Sequence, residues 1–367
     1  MNSIAVKARW LGALVAAGVL LAAGAGTAGA RTAGGEDGPA RGVPQAVDLH
    51  AGARSVAVAR DGRTAYVSVK EGGRHGAGVK VVDTRSGAVT ADVTLTTGFD
   101  ASAGPVALSP DGSRAYVLYS LGHGLRLSLL GVIDTATNTL VATAAAPDQP
   151  RPAGAQPGSL GALSVSADGS RVLVTQYGPA GDNGPTLEGT RVLQFSPAQL
   201  AYTAAVTVPG HFTGAVVSRP GGGDAYVATD EGLVHLNTSG AAPVAADTVA
   251  FADGAFAGLA ISPDGSRLYG VNGSGRGLAV DLATETTVAV FDVTPGTWVR
   301  DLSVSADGTR LYLLAQDSSV LSIDTATDAV LPGEGVKGLT GTGGLAVGPD
   351  GHTFYVTSGT SLLIIGF

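Results

Sequence analysis

The sequence predicts an all-β fold, a seven-bladed β-propeller with four-stranded antiparallel blades, and three observations lead to it. The composition is that of a turn-rich strand protein, with 56 glycines, 18 prolines and 14% charged residues in 367. A twelve-residue pattern recurs seven times at the period of a propeller blade. The last copy is followed by too few residues for a fourth strand, so another part of the chain has to supply it.

The first thirty residues predict a Sec-type signal peptide. Lys7 and Arg9 form a basic region, Trp10 to Ala23 is an apolar run, and Ala28-Gly29-Ala30 is a small-residue cleavage site. We expect cleavage after Ala30 and a secreted, extracellular protein. The alternative is an uncleaved membrane anchor, although the apolar run is shorter than the roughly 20 residues that span a bilayer.

Composition also bounds the domains and the partners. Residues 31–44, rich in Gly, Ala and charge, predict a flexible leader, and residues 45–367 predict the propeller. The net charge of -8, with no cluster of Lys or Arg, argues against a nucleic-acid partner. The absence of cysteine excludes disulfides and thiolate chemistry. No later segment is apolar enough to span a membrane once the signal is cleaved.

The clearest copy of the repeat is Val106–Val117, which contains Ser-Pro-Asp-Gly and ends in Tyr-Val. The other copies are Val56–Val67, Leu163–Val174, Val216–Val227, Leu259–Gly270, Leu302–Leu313 and Leu345–Val356. Their marker residues are Tyr66, Tyr116, Leu173, Tyr226, Tyr269, Tyr312 and Tyr355, at spacings of 50, 57, 53, 43, 43 and 43. Seven copies predict seven blades, and the first three carry insertions.

Each copy predicts a hairpin of strands a and b, the two inner strands of a blade. Leu302 to Val304 alternates as a half-buried strand, and Asp-Gly supplies the positive-φ positions of a tight turn before the chain returns. A second hairpin, of strands c and d, is clearest in Gly131–Thr143, where Asp, Thr and Asn can bond their own backbone. Related copies follow in blades one, five and six, with weaker versions near Leu193 and Leu236.

The final unit stops after three strands, ending in Leu362 to Phe367. The strand Ala46 to His50 is the one candidate for the missing outer strand. Its pairing there would close the ring and remove an exposed edge.

The repeat resembles the YVTN repeat of YncE-like β-propellers over about residues 45–367. The resemblance is best in Ser109–Val117 and Val132–Thr143, where S-P-D-G-x-x-x-Y-V is followed by V-I-D-T-A-T-N-T-x-V-A-T. It implies an exported or surface propeller, often without an assigned activity. The Thr-Asn that follows Tyr-Val in the family is replaced here, by Ser68-Val69 for example, so the resemblance transfers no residue role.

No motif predicts catalysis, a metal or a cofactor. The Asp-Gly pairs lack the D-x-D-x-D-G spacing of calcium loops, and no two histidines have the spacing of zinc ligands. No G-x-S-x-G elbow is present. The glycine-rich segment Gly273–Gly277 is not followed by the Lys-Ser/Thr of a phosphate loop, and we interpret it as an ordinary b–c loop.

The insertions predict where a ligand binds. In a propeller the b–c and d–a loops share the face that surrounds the channel mouth, here named the loop face. The predicted long loops, all on that face, are Lys70 to Gly78, Ser120 to Leu130, Gln176 to Thr190, Thr97 to Gly104 and Ala146 to Leu160. Insertions also arise neutrally, but binding residues gather on loops held by rigid scaffolds. The candidate ligand-binding residues are Arg74, His75, His123, Arg126, Tyr177, His211, Trp298 and Arg300.

The leading functional hypothesis is an exported binding or interaction module, with an unidentified protein, glycan or small molecule bound at the loop face. The alternative is a propeller enzyme, either a lactonase-like hydrolase or a redox protein of the quinoprotein or amine-dehydrogenase kind. A structural role at the cell surface is a third interpretation. Fold does not decide between them, because propellers host many functions.

Overall fold

The chain folds as seven four-stranded antiparallel sheets arranged in a ring. The computed structural model describes residues 44–72, 76–98, 100–122, 127–151, 153–179, 189–210, 213–250, 256–272, 275–293 and 298–366. The predicted all-β class, blade number and strand number are confirmed. In the described part of the chain, no helix is long and apolar enough to cross a membrane.

The strands of each blade run from inner strand a to outer strand d. Blade one has β2 (Gly52–Val58), β3 (Thr64–Lys70), β4 (Ala77–Asp83) and β5 (Ala88–Thr96). Blade two has β6 (Ser102–Leu108), β7 (Arg114–Leu121), β8 (Leu127–Asp134) and β9 (Thr139–Ala145). Blade three has β10 (Leu160–Val165), β11 (Val172–Gln176), β12 (Arg191–Ser196) and β13 (Ala201–Thr207). Blade four has β14 (Thr213–Ser218), β15 (Asp224–Thr229), β16 (Gly232–Asn237) and β17 (Val244–Ala250).

The last three blades are more regular in length. Blade five has β18 (Phe256–Ile261), β19 (Arg267–Asn272), β20 (Arg276–Asp281) and β21 (Thr286–Asp292). Blade six has β22 (Val299–Val304), β23 (Arg310–Ala315), β24 (Val320–Asp324) and β25 (Ala329–Val336). Blade seven has β26 (Thr342–Val347), β27 (Thr353–Ser358) and β28 (Ser361–Gly366) from the C-terminus, and β1 (Gln45–Asp48) from the N-terminal part of the chain.

The hydrophobic core lies between the blades rather than within them. Seven buried clusters occur among the described residues, and each joins residues of two neighbouring blades. The marker residue of every repeat, six Tyr and Leu173, lies in strand b and is buried. The interpretation of these residues as core is therefore confirmed, because apolar faces on both sides of each sheet are covered by the next blade.

The Asp-Gly turns differ in one respect from the prediction. In blade two the amide of Gly112 donates to the Ser109 carbonyl (2.9 Å), and Gly112 has a φ of 72°. Asp111 is not among the described residues with positive φ. Its carboxylate instead accepts the Ser109 hydroxyl (2.6 Å) and the Ser113 amide (3.0 Å). These hydrogen bonds, the Ser109 hydroxyl foremost, lower the pKa of Asp111 to about 2. Only the glycine needs the left-handed region.

The c–d turns form as the sequence predicts. Oδ1 of Asp134 accepts the amides of Ala136 (3.1 Å) and Thr137 (3.0 Å), and Asn138 follows with a φ of 51°. The Thr135 hydroxyl reaches across to the carbonyl of Gly112 in the a–b turn of the same blade (2.6 Å). The consensus Asp, Thr and Gly residues therefore stabilise the turns of one face, which is a structural role.

The N-terminal strand closes the ring, as predicted, but it is shorter than Ala46 to His50. β1 pairs antiparallel with β28, with Val47 opposite Leu362 and Asp48 opposite Ser361. The strand ends at Asp48 because His50 turns away with a φ of 53°, and its amide donates to Oδ1 of Asp48 (2.8 Å). Val47 is only 4% exposed. β1 therefore contributes core as well as hydrogen bonds.

The connections on the loop face differ less in length than the insertions in the sequence predicted. The connection β11–β12 spans residues 177–190 and β9–β10 spans 146–159, both long as predicted. The predicted loop Ser120 to Leu130 shrinks to residues 122–126, because β7 and β8 extend into it. The predicted loop Thr97 to Gly104 ends early because β6 begins at Ser102.

Candidate binding site at the channel mouth

The seven inner strands surround a central cavity of about 760 Å³, lined by residues of all seven blades. Each inner strand begins on the loop face, because strands a and c run opposite to strands b and d. The cavity therefore opens at the face where the sequence predicts a ligand. Its volume lies within the range of roughly 300–1,000 Å³ that is typical of small-molecule sites.

Every inner strand has an irregular register near its loop-face end. Each irregularity contains one residue that lies two positions before the first apolar residue of the repeat. We name this residue the entry position. The seven entry positions are Arg54, Gly104, Gly161, Gly214, Ala257, Arg300 and Gly343. Five are Gly or Ala, so the charged side chains of this ring come from blades one and six alone.

Arg54 and Arg300 are both exposed and both line the cavity. Within the described residues, neither guanidinium forms a hydrogen bond or an ion pair. β26 of blade seven lies between their strands and contributes Gly343 and Gly344 to the wall. A Cβ on Gly343 would lie 2.4 Å from the Arg54 carbonyl oxygen, so the backbones of blades seven and one approach too closely for a side chain there.

Asp301 is the one carboxylate in this wall, and both of its oxygens accept hydrogen bonds from backbone amides. Its Oδ1 accepts the Leu302 amide (2.9 Å), and its Oδ2 accepts the amide of Leu345 in blade seven (2.8 Å). Burial raises the pKa of Asp301 to about 6, against the lowering effect of these two hydrogen bonds. Asp301 therefore joins blades six and seven and is not a counterion for the two arginines.

Blades one and seven are joined to the next blade by a hydroxyl from strand b. In blade one, Ser68 accepts the amide of Ser55 (3.1 Å) and donates to the carbonyl of Gly104 in blade two (2.6 Å). In blade seven, Thr357 accepts the amide of Gly344 (2.7 Å) and donates to the carbonyl of Arg54 (3.1 Å). Blade six has Leu314 at this position of strand b, and its bond to blade seven runs the other way, since Asp301 accepts the Leu345 amide instead of donating to a carbonyl.

Two further predicted residues lie near the mouth. The ring of Tyr177 covers Gly161 of the cavity wall, where a Cβ would lie 2.9 Å from the Tyr177 hydroxyl oxygen. Burial raises the pKa of Tyr177. Trp298, two residues before Arg300, is 61% exposed, and its carbonyl accepts the Gln316 amide (2.7 Å).

The structure thus places Arg300 in the cavity wall, Tyr177 against Gly161 of that wall, and Trp298 just before the start of β22. The other five predicted residues lie outside the described residues: Arg74, His75, His123, Arg126 and His211. Sequence reasoning missed Arg54 and Asp301. Aligning the residues just before each repeat would have found Arg54, since Arg interrupts a column of Gly and Ala.

Other features give weaker candidates. A second cavity of about 550 Å³ is lined by Arg191, but the guanidinium of Arg191 already donates to Gln176 Oε1 (2.7 Å) and the Pro147 carbonyl (2.6 Å). Across the described ranges, no group of three or more His, Asp or Glu side chains is placed to hold a metal ion. The channel mouth, by contrast, has two exposed guanidinium groups that lack a partner among the described residues.

Comparison with known proteins adds no assignment. No family model matches the chain, and no curated protein is similar to it in sequence. What the structure establishes is a seven-bladed β-propeller with an open, arginine-bearing channel mouth on its loop face.

Proposed function

We propose that this chain is an exported binding module that takes its ligand at the loop-face mouth of the central channel. The observation that carries the proposal is the pair of exposed, unpaired guanidinium groups of Arg54 and Arg300 at a cavity of about 760 Å³. A few convergent polar groups on a fixed scaffold are what a binding site requires. The predicted signal peptide and the resemblance to YncE-like propellers support export.

The first experiment is a thermal-shift screen of the purified protein against small acids, oligosaccharides and peptides. A specific ligand raises the melting temperature because it binds the folded state alone. Deletion of residues 180–188 then shortens the β11–β12 connection to about the length of residues 316–319 in blade six. We expect cooperative melting to survive, since loop length costs little, and binding to fall. Unchanged binding would place the site away from this loop.

The second experiment separates binding from the enzyme alternative. Metal and chromophore analysis of the secreted protein tests for redox or metal chemistry directly. A stoichiometric metal or bound chromophore would favour the enzyme. N-terminal sequencing of the same material tests export, and a chain that begins near Arg31 is the expected result.

A further inference from the structure

We infer that the ligand of the channel mouth carries an oxyanion, a carboxylate, phosphate or sulfate group, which Arg54 and Arg300 bind from either side of blade seven. This inference rests on the proposed function and adds the chemical class of the ligand. It concerns a site formed by the entry positions and not by the loops.

The charge distribution is the first support. The chain has a net charge of -8, yet the charged side chains of the entry ring are two arginines. Guanidinium groups stay protonated at any physiological pH. Two positive charges at one concave opening repel each other and create a positive potential there. An anion that enters the mouth is attracted by both arginines and relieves their repulsion.

The absence of a competing anion is the second support. Asp301, next to Arg300 in sequence, is held by the amides of Leu302 (2.9 Å) and Leu345 (2.8 Å). The half-buried Arg310 of the same blade as Arg300, by contrast, is paired with Asp324 (2.9 Å). Arg54 and Arg300 have none among the described residues, so their donors are available to a ligand.

The shape of the wall is the third support. Between the two arginines, blade seven presents Gly343 and Gly344; the backbone of blade one excludes a side chain at Gly343 and leaves little room for one at Gly344. At the entry position of blade two, Gly104 leaves room, since a Cβ there would lie 3.5 Å from the nearest atom. A guanidinium can donate two parallel hydrogen bonds to one oxyanion, so the pair suits a ligand with one or two acidic groups better than a neutral one.

Trp298 provides the readout. The chain has two tryptophans, and cleavage after Ala30 would remove Trp10; where the chain is produced uncleaved, a Trp10→Phe background leaves Trp298 alone. We would titrate succinate, phosphate and sulfate separately at constant ionic strength, with chloride as the balancing ion, and follow Trp298 fluorescence and calorimetric heat. The three probes distinguish a carboxylate from a phosphate or a sulfate.

The variants are Arg54→Gln, Arg300→Gln and the double substitution. Arg63→Gln is the matched control, since Arg63 is exposed in the a–b turn of blade one on the opposite face. We expect saturable binding of at least one probe, about tenfold weaker in each single variant, lost in the double variant, and unchanged in the control.

Two results would overturn the inference: no saturable binding of any of the three probes, or equal binding by the double variant and the control. The proposed function is judged separately. If a neutral ligand from the screen loses affinity when residues 180–188 are deleted but binds the double arginine variant normally, the binding module stands and the oxyanion is wrong.

Discussion

Asp301 shows how one residue can take over a structural joint from another residue type. Where Ser68 and Thr357 use a hydroxyl between two blades, Asp301 uses a carboxylate whose pKa is raised to about 6 by burial. A carboxyl with a raised pKa keeps its proton in the folded state after the unfolded chain has released it. The free energy of unfolding therefore falls as pH rises from about 4 to about 6.

Asp301→Asn should remove this pH dependence. Asparagine does not titrate, and it keeps one acceptor for the two amides, so we expect stability about 1 kcal/mol below the parent's at pH 4, a flatter profile between pH 4 and 6, and a smaller or reversed difference above pH 6. Urea unfolding at half-unit pH steps measures both. Asp307→Asn is the control in the same blade. Hydrogen bonds, that of the Ser305 hydroxyl first, lower the pKa of Asp307 to about 2, so this group changes the free energy of unfolding only below pH 4. Parallel profiles for Asp301→Asn and the parent would contradict this account.

At the scale of elements, a polar cluster joins blades four and five beside a turn that departs from the consensus. Blade four lacks Asp-Gly, and His235 of β16 lies instead between Asp224 (Nε2 to Oδ1, 3.0 Å) and Glu285 of blade five (Nδ1 to Oε1, 2.7 Å). The ring of Tyr226 stacks on His235 with centroids 5.0 Å apart. Arg219 Nε donates to the carbonyl of Gly265 in the neighbouring turn (2.9 Å). A partly buried polar cluster thus joins the two sheets.

A double-mutant cycle of His235→Ala and Glu285→Ala measures this joint. Because both side chains are largely shielded, we expect a coupling energy of about 1 kcal/mol or more in urea unfolding. The His50 and Asp48 pair is the matched control, with exposed fractions of 85% and 59%, and its coupling should be near zero. Similar couplings for the two pairs would show that the blade four cluster adds no stability.

These elements also show how far sequence reasoning reaches. Repeated Asp-Gly and Asp-Thr patterns predicted the hairpins because local turn chemistry decides them. The extension of β7 and β8 was missed, since polar residues such as Ser120 and Ser128 pair across the hairpin as well as apolar ones do. Arg54 was missed because a single residue before a repeat has no local signature; only the comparison of all seven repeats sets it apart, and only the assembled ring shows that it lines the channel.

At the scale of the whole molecule, stability depends on closure. Seven buried clusters, one between each pair of neighbouring blades, follow the ring all the way round. The cluster between blades seven and one includes Val47 of β1 and Leu49, which directly follows β1. An open ring would expose this cluster and leave β28 as an unpaired edge. Closure by the N-terminal strand is therefore expected to govern folding of the entire ring.

Two substitutions on β1 test closure. Val47→Asp places a carboxylate in the cluster, and we expect it to lower the free energy of unfolding by about 3 kcal/mol or more. Ala46→Asp, on the exposed face of the same strand, should change it by less than about 0.5 kcal/mol. Urea unfolding and size-exclusion chromatography give the comparison, and equal stability of the two variants would show that β1 does not hold the ring together.

The central claim is that the channel mouth is the binding site, and Gly104→Trp tests it most directly. A Cβ at Gly104 lies 3.5 Å from the nearest atom, the Leu118 carbonyl oxygen, so the entry position of blade two accepts a side chain that obstructs the mouth. Gly240→Trp is the control, because Gly240 has similar room (3.6 Å) in the β16–β17 turn of the opposite face. Calorimetric affinity for the best ligand of the screen is the measurement. We predict normal folding of both variants, with affinity lost in Gly104→Trp and kept in Gly240→Trp; undiminished binding by folded Gly104→Trp would contradict the claim.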